Sequence, residues 1–235
     1  MRPDKEPAGP SSAAPAPAPQ ADEPSLDELR VRKVLARRAW TLRLRTLAPG
    51  ERQDRSALIC ERLSKLGSLG GASRVMLFAP MANATIPEVD LTELARRWLR
   101  RGRPAIYVPR VLWSSREMIP ALVTDWERDL VIGRHGVREP GPECPSLDPE
   151  HLDVVLAPGL AFDHGGRRLG RGGGLYDRFL GRYALSDRAV GVCFDRQIST
   201  ESRVDSLIPV ASHDARVHAV VSESRLIELP PGSLR

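Results

Sequence analysis

The stretch HLDVVLAPGLAFDHGGRRLGRGGGLYDRFL, residues 151–180, sets the expected fold of this chain. Its apolar run from Leu152 to Leu156 is typical of a buried strand in a parallel sheet. A loop with six glycines between Gly165 and Gly174 follows, and the next residues, LYDRFL, have helical spacing. The stretch therefore predicts a strand, a glycine-rich loop and a helix in succession.

The chemistry of this loop favours a phosphate ligand. Glycines let backbone N–H groups converge on an anion, and the N-terminus of a helix adds a favourable dipole. Arg167, Arg168 and Arg171 add fixed positive charge. Asp177 lies one turn into the helix, where a carboxylate can hold a metal ion beside that phosphate. The pattern is neither a Walker A loop nor a dinucleotide fingerprint, so a merely flexible connection is the competing interpretation.

The composition indicates one globular domain with extensions. The chain has 235 residues, 41% of them hydrophobic, which is enough for a core. A net charge of +5 is compatible with a nucleic acid ligand or with a small polyanion such as ATP. The sequence has neither long basic runs nor aromatic RNA-binding motifs, so nucleic acid is the weaker interpretation. The three cysteines lack metal-site spacing and are odd in number, which favours a reducing cytoplasm. Neither a membrane-spanning run nor a hydrophobic signal core is expected.

We predict a single three-layer α/β domain over residues 25–225, with a mostly parallel sheet flanked by helices. Residues 1–24 are rich in Pro, Ala and Ser and are expected to form a disordered tail, and residues 226–235 a fraying one. Helices are expected over residues 26–44, 51–66 and 90–101, and again from 175. Strands are expected at 74–79, 105–108 (stopped by Pro109), 152–156 and 188–194, with short ones at 207–210 and 217–221.

Several residues outside the loop are candidate partners for it. Lys33 and Arg37 lie four residues apart on the first helix and share a face, either as two solvated cations or because both face a common anion. Glu88 follows the first strand's carboxyl end, where open α/β sheets place their ligands, although an isolated loop acid is as often only solvated. Three apolar residues are predicted to pack in the core or in a lid: Trp113, Met118 and Trp126.

Residues 158–180, PGLAFDHGGRRLGRGGGLYDRFL, resemble the signature of the 5-formyltetrahydrofolate cyclo-ligase family, PG-x-x-FD-x-x-G-x-RLGRG-x-GYYDR-x-L. Weaker matches follow in the family's order, and together they cover roughly residues 26–221. They are Lys33 with Arg37, Glu88, Pro109-Arg110, Glu139-Pro140 and His213-Asp214. One position departs from the signature, because Leu175 stands where the family has a tyrosine.

The resemblance implies an ATP- and Mg²⁺-dependent conversion of 5-formyltetrahydrofolate to 5,10-methenyltetrahydrofolate, ADP and phosphate. It implies that Arg171 and Lys33 are catalytic and that Asp177 and Asp214 hold Mg²⁺. The residues implied to bind ATP are Lys33, Arg37, Arg168, Gly170, Arg171, Gly172, Gly173, Gly174, Leu175 and Tyr176. Those implied to bind the folate are Glu88, Met118 and Tyr176.

Two alternatives to this function stay open on the sequence. Leu175 leaves room for an ATP-dependent ligase with another substrate, and the basic surface leaves room for a degenerate nucleotide- or RNA-binding module. A degenerate module should have lost some of the separated partners of the loop, and all are present. We therefore expect an active monomer whose partners are ATP and 5-formyltetrahydrofolate, without membrane contact or a nucleic acid partner.

Overall fold

A computed structural model describes residues 24–81, 85–199, 208–230 and 232–234 of the chain. The expected N-terminal tail, apart from Pro24, lies outside these residues. The helices are α1 (Leu26–Arg45), α2 (Pro49–Ser64), α3 (Gly67–Gly70), α4 (Thr92–Arg101) and α5 (Leu175–Arg182). The strands are β1 (Arg74–Met76), β2 (Ala105–Leu112), β3 (Glu117–Val123), β4 (Leu130–Ile132), β5 (Arg138–Pro140), β6 (Val154–Pro158), β7 (Ala161–Phe162), β8 (Arg168–Leu169), β9 (Ala189–Val192), β10 (Ala219–Val221) and β11 (Leu226–Glu228).

Seven of these strands form one sheet in the order β11-β10-β9-β6-β1-β2-β3. The neighbours from β10 to β2 are parallel, whereas β11 and β3 join the two edges antiparallel. Parallel strands require crossover connections, and α4 supplies one between β1 and β2. The mostly parallel sheet predicted from the sequence is thereby confirmed.

Helices cover both faces of the sheet, because alternate side chains of each strand enter different cores. Val75 and Leu156 belong to the core that includes α2 and α4, whereas Met76 and Val155 belong to the core that includes α5. All four side chains are fully buried. The three-layer architecture therefore follows from strands that are apolar on both faces.

The helix boundaries follow local signals that are visible in the sequence. The capping box at the start of α1 is present, since Ser25 N donates to Glu28 Oε2 at 3.0 Å and Glu28 N donates to Ser25 Oγ at 3.2 Å. Gly102 ends α4 in the left-handed conformation at φ 70°. Among the described residues, no helix is long and apolar enough to cross a membrane.

Several predictions about the extended segments are wrong. Strand β1 ends at Met76 and not at residue 79, and β6 covers Val154–Pro158 and not residues 152–156. Strand β2 continues through Pro109, which faces Pro120 of β3. Pro120 O accepts from Leu147 N at 2.9 Å, so the backbone polar groups of this pair point away from each other and the pairing of β2 with β3 loses no hydrogen bond. Residues 208–210 form no strand, and position 207 lies outside the described residues. Residues 226–228 do not fray, because β11 pairs with β10.

Strand β9 passes so close to a buried ring that only glycine fits at its centre. A Cβ atom on Gly191 would lie 2.4 Å from Cε1 of Phe162, whose side chain is fully buried. We expect Gly191→Ala to lower the free energy of unfolding by about 1–3 kcal/mol, because the ring has to move within a packed core. Urea unfolding followed by circular dichroism measures this change.

The matched control is Gly181→Ala in α5, where a Cβ atom meets nothing within 4 Å. Alanine favours helices over glycine by up to about 1 kcal/mol, so this variant should be at least as stable as the parent. Equal stability of the two variants would contradict the close contact at Gly191.

Candidate active site

The glycine-rich loop is an ordered turn built on a small hairpin. Strands β7 and β8 pair antiparallel, Ala161 with Leu169 and Phe162 with Arg168. The buried carboxylate of Asp163 closes the turn, since its Oδ1 accepts from the backbone N–H groups of Gly165 and Arg167, both at 2.9 Å. A loop with these contacts is not merely a flexible connection, which was the competing interpretation.

The hairpin tip is fixed to the chain that leads into β10. Gly166 has φ +70°, and Gly166 O accepts from Val217 N at 2.9 Å. A Cβ atom on Gly166 would lie 2.2 Å from Val217 O, so the backbones approach as closely as glycine allows. The same chain segment carries Asp214, so the hairpin and Asp214 are held in one framework.

Arg168 connects the hairpin to both neighbouring elements. Its side chain is 3% exposed; Nη2 donates to Asp177 Oδ1 at 2.6 Å, and Nη1 donates to Pro158 O at 3.2 Å. The guanidinium carbon lies 5.5 Å from the centre of the Tyr176 ring. This residue, implied to bind ATP, therefore holds the end of β6 and the first turn of α5 together.

An apolar cavity of about 510 Å³ opens at the carboxyl ends of β1, β2 and β6. Apolar side chains dominate its wall, among them Phe78, Val111, Met118 and Leu175. Glu88 and Arg171 are its polar groups at one side, as in ligand pockets where a few polar residues fix orientation. Its position matches the sheet edge at which open α/β folds bind ligands.

A basic cavity of about 1030 Å³ lies on the other side of the loop, between α1, α5 and residues 209–214. Lys33 and Arg37 of α1 line it together with Gly172 of the loop. Arg37 Nε donates to Gly170 O at 3.0 Å, and Lys33 Nζ is ion-paired with Asp214. The shared face predicted for the two cations is thus turned toward the glycine loop.

The two cavities have a common wall. Five residues line both of them: Arg168, Gly170, Gly173, Gly174 and Asp177. Gly174 has φ +64° and precedes α5, whose first N–H groups have no acceptor within the helix. A phosphate on the basic side would therefore meet backbone N–H groups and the positive end of a helix dipole.

Three predicted ATP ligands have side chains on the apolar side. Leu175 and Tyr176 line the apolar cavity and not the basic one. Arg171 also lines the apolar cavity, and its Nη2 lies 2.9 Å from Glu88 Oε1. Glu88 Oε2 accepts from Met81 N at 3.3 Å. The structure thus joins a residue implied to act on ATP to one implied to bind the folate.

Tyr176 contributes a buried hydroxyl without a partner among the described residues. Burial raises the pKa of its phenol well above the ordinary value, and the nearby charge of Arg168 only partly opposes this effect. The hydroxyl is therefore neutral at physiological pH and able to donate a hydrogen bond. Such a group in a cavity wall is suited to a polar atom of a ligand.

The two carboxylates implied to hold Mg²⁺ both line the basic cavity. Asp177 Oδ1 is bonded to Arg168, and Asp214 Oδ2 to Lys33 and Ala211 N. Within the described chain, the second oxygen of each carboxylate accepts no hydrogen bond, and no group of three metal-ligating side chains occurs. Mg²⁺ usually binds one or two carboxylates together with substrate phosphates, so this donor set fits the ion.

Two matches to the family signature have structural roles. Arg110 Nη1 donates to Gly141 O at 2.9 Å and to Cys144 O at 3.3 Å, and its Nη2 donates to Ser146 Oγ at 2.7 Å. Glu139 Oε2 accepts from Val111 N at 3.0 Å. Both residues fix the segment that places Val137 and Arg138 in the wall of the apolar cavity.

Sequence reasoning missed two arginines of the basic cavity. Arg116 and Arg178 line the basic cavity, and Arg178 Nη2 donates to Gly173 O at 3.0 Å. Trp113 lines the apolar cavity with Met118, whereas Trp126 is buried in the core and donates to Thr92 Oγ1 at 3.3 Å. Arg178 follows Gly174 by one helical turn, which is the spacing that would have identified it.

The comparisons with known proteins agree with this geometry. The model of the 5-formyltetrahydrofolate cyclo-ligase family matches residues 26–223. The 5-formyltetrahydrofolate cyclo-ligase of Escherichia coli K12 is 31% identical over 187 residues, which cover 75% of this chain and 98% of that protein. The mitochondrial cyclo-ligase of Arabidopsis thaliana is 31% identical over 171 residues, 66% of this chain and 61% of that protein. The structure of 5,10-methenyltetrahydrofolate synthetase from Aquifex aeolicus superimposes with a TM-score of 0.71 at 29% identity, covering 85% of this chain and 94% of that one.

The buried ion pair between Arg168 and Asp177 should be strongly coupled. We expect a double-mutant cycle with Arg168→Ala and Asp177→Ala to give a coupling free energy of about 1–3 kcal/mol, because each single change leaves the other charge without its partner. Urea unfolding of the four proteins measures it. The exposed pair of Arg182 and Glu117 is the control and should give less than about 1 kcal/mol. Equal coupling in the two pairs would contradict a special role for Arg168.

Proposed function

Because the chain belongs to the 5-formyltetrahydrofolate cyclo-ligase family, we propose that it converts 5-formyltetrahydrofolate to 5,10-methenyltetrahydrofolate in an ATP-dependent reaction. The observation that carries this proposal is the pair of cavities, one apolar and one basic, that share the glycine loop as a wall. Transfer of a phosphoryl group between two bound substrates requires such adjacent sites.

The basic cavity is the proposed ATP site. Lys33 and Arg37 approach from α1, and Gly172 to Gly174 supply backbone on the opposite wall. Positive side chains and N–H groups at the start of α5 suit the charge of a triphosphate. Phosphoryl transfer asks a protein mainly for positioning and charge neutralisation, which these groups provide.

The apolar cavity is the proposed folate site. Glu88 offers a carboxylate that accepts hydrogen bonds from the polar edge of a pterin, and Met118 offers an apolar surface for its ring. Tyr176 adds a neutral hydroxyl donor. Arg171 borders this cavity beside Glu88, where it can stabilise negative charge on the substrate.

In the proposed reaction the formyl oxygen attacks the γ-phosphorus of ATP where the two cavities adjoin at the glycine loop, and the bond to the leaving ADP breaks. N10 then bonds to the formyl carbon and loses its proton, and phosphate leaves with the former formyl oxygen. Arg168 keeps the wall in place, while Lys33 and Arg171 supply positive charge from its two sides. The attacking oxygen carries a lone pair and requires no general base.

Asp177 and Asp214 are the residues that would hold Mg²⁺. A bound Mg²⁺ ion neutralises charge on the phosphate oxygens of ATP. Ion pairs with Arg168 and Lys33 hold both carboxylates in the wall of the basic cavity.

The proposal also includes a location in the reducing cytoplasm and a monomeric state. All three cysteines are free and buried, which suits a compartment that keeps thiols reduced. Both cavities are lined by residues of one chain, so a single copy supplies the groups that the reaction requires.

The direct test of the function follows the absorbance of the methenyl-folate product. Purified protein with Mg-ATP and 5-formyltetrahydrofolate should raise this absorbance, and omission of ATP should abolish the rise. Absence of turnover with both substrates present would sink the proposal. Retained ATP binding in that case would favour the binding-module alternative.

Arg171→Ala should lower kcat about 100-fold or more, because the variant lacks the positive side chain that stabilises negative charge on the reacting group. Urea unfolding should show a change below about 1 kcal/mol, since the side chain is one-third exposed. Arg100→Ala, on the exposed face of α4, is the control and should keep the parental rate. A loss of rate that merely parallels unfolding would assign Arg171 a structural role instead.

Leu175→Tyr should act on the folate and not on ATP, because this side chain lines only the apolar cavity. A tyrosine adds ring area and a hydroxyl, so we expect the KM for 5-formyltetrahydrofolate to fall roughly threefold. The KM for ATP should stay within about twofold of the parental value. Steady-state kinetics with each substrate varied in turn gives both constants, and a change in the ATP constant alone would contradict the assignment.

A further inference from the structure

A third depression lies along α1, outside the two cavities. It has a volume of about 540 Å³, and every charged residue that lines it is an arginine. Arg37, Arg38 and Arg45 come from α1, and Arg171 comes from the glycine loop. Ile86 and Leu160 supply apolar surface beneath them. We call this feature the arginine depression.

The arginines of α1 in this depression have no acidic partner among the described residues. Arg37, Arg38 and Arg45 form no ion pair there, whereas Arg171 is paired with Glu88. Like charges gathered on one face repel each other unless an anion lies between them. The arrangement therefore suits an external anion.

The arginine depression is distinct from the two cavities but adjoins both. Arg38 and Arg45 line neither of them and are seven residues apart, which places them two turns apart on one face of α1. Arg37 is shared with the basic cavity, and Arg171 with the apolar cavity. An anion held here would contact residues of both substrate sites.

We propose that the arginine depression is a binding site for an oxyanion group, either a phosphate or a carboxylate, that lies outside the substrate cavities. Guanidinium groups match the paired oxygens of both anions, and Thr41 adds a hydroxyl donor between Arg38 and Arg45. Two sources have this chemistry. One is the phosphate released by the reaction, and the other is the carboxylate end of a folate that extends past Arg171.

The test is calorimetric titration of the full chain with two probes, inorganic phosphate and a triglutamate peptide. The probed variant is Arg38→Ala with Arg45→Ala. The matched control is Arg32→Ala with Arg43→Ala, which removes the same charge from α1 at positions that line none of the three sites. We expect at least a tenfold weaker Kd in the probed variant and less than a twofold change in the control.

Equal losses in the two double variants would overturn the proposal, because they would indicate a diffuse charge effect. It is also overturned if neither probe binds, or if every probe that binds does so equally in all three proteins, since that anion would lie outside the arginine depression. Binding of phosphate alone would identify the reaction product as the ligand, and binding of triglutamate alone the folate. The titrations use neither ATP nor folate, so their outcome is separate from that of the turnover assay.

Discussion

The buried guanidinium of Arg168 is the interaction on which the site depends. A charge withdrawn from water requires partners, and here these are Asp177 Oδ1, Pro158 O and the ring of Tyr176. Its Nε atom has no acceptor among the described residues, so most of the compensation comes from Asp177. Because one buried side chain bonds to both elements, the end of β6 and the start of α5 are held at a fixed separation.

That constraint helps the glycine loop to form the wall between the apolar and the basic cavity. Gly170, Gly173 and Gly174 contribute backbone to this wall, together with the paired side chains of Arg168 and Asp177. Backbone in a loop is usually mobile. The β7–β8 hairpin, the carboxylate of Asp163 and the contact of Gly166 with Val217 remove this freedom from outside the wall. The neighbours of the wall therefore supply its rigidity.

Much of the fold was predictable because its signals are local. Apolar runs gave the parallel strands, and Ser25 with Glu28 gave the start of α1. The prediction failed at Pro109, because the missing N–H of this proline does not face β3, and that depends on the register of the two strands. The prediction that residues 226–228 fray was wrong for a related reason, because these residues form a strand only through their pairing with β10.

The residues predicted for the site line one or both cavities, but the cavity that each of them lines was not predictable. The sequence pattern located Arg171 in the glycine loop and Leu175 at the start of the helix that follows. It could not show toward which cavity each side chain points. The contact between Arg171 and Glu88 joins positions 83 residues apart, which no local pattern encodes. The spacing of Lys33 and Arg37 could not tell where their shared face points. The packing of α1 against the loop turns this face toward the basic cavity.

The antiparallel strands at the two edges of the sheet also bear on how copies of the protein meet. Unpaired edges of a sheet recruit strands from other chains unless they are short, covered or interrupted. Strand β11 has three residues and is followed at once by a coil that contains Pro230. Strand β3 carries Pro120, and its outer side is covered by hydrogen bonds from Leu122 N to Pro145 O and from Leu147 N to Pro120 O. Both edges therefore resist strand addition, which guards the folded chain against edge-to-edge aggregation.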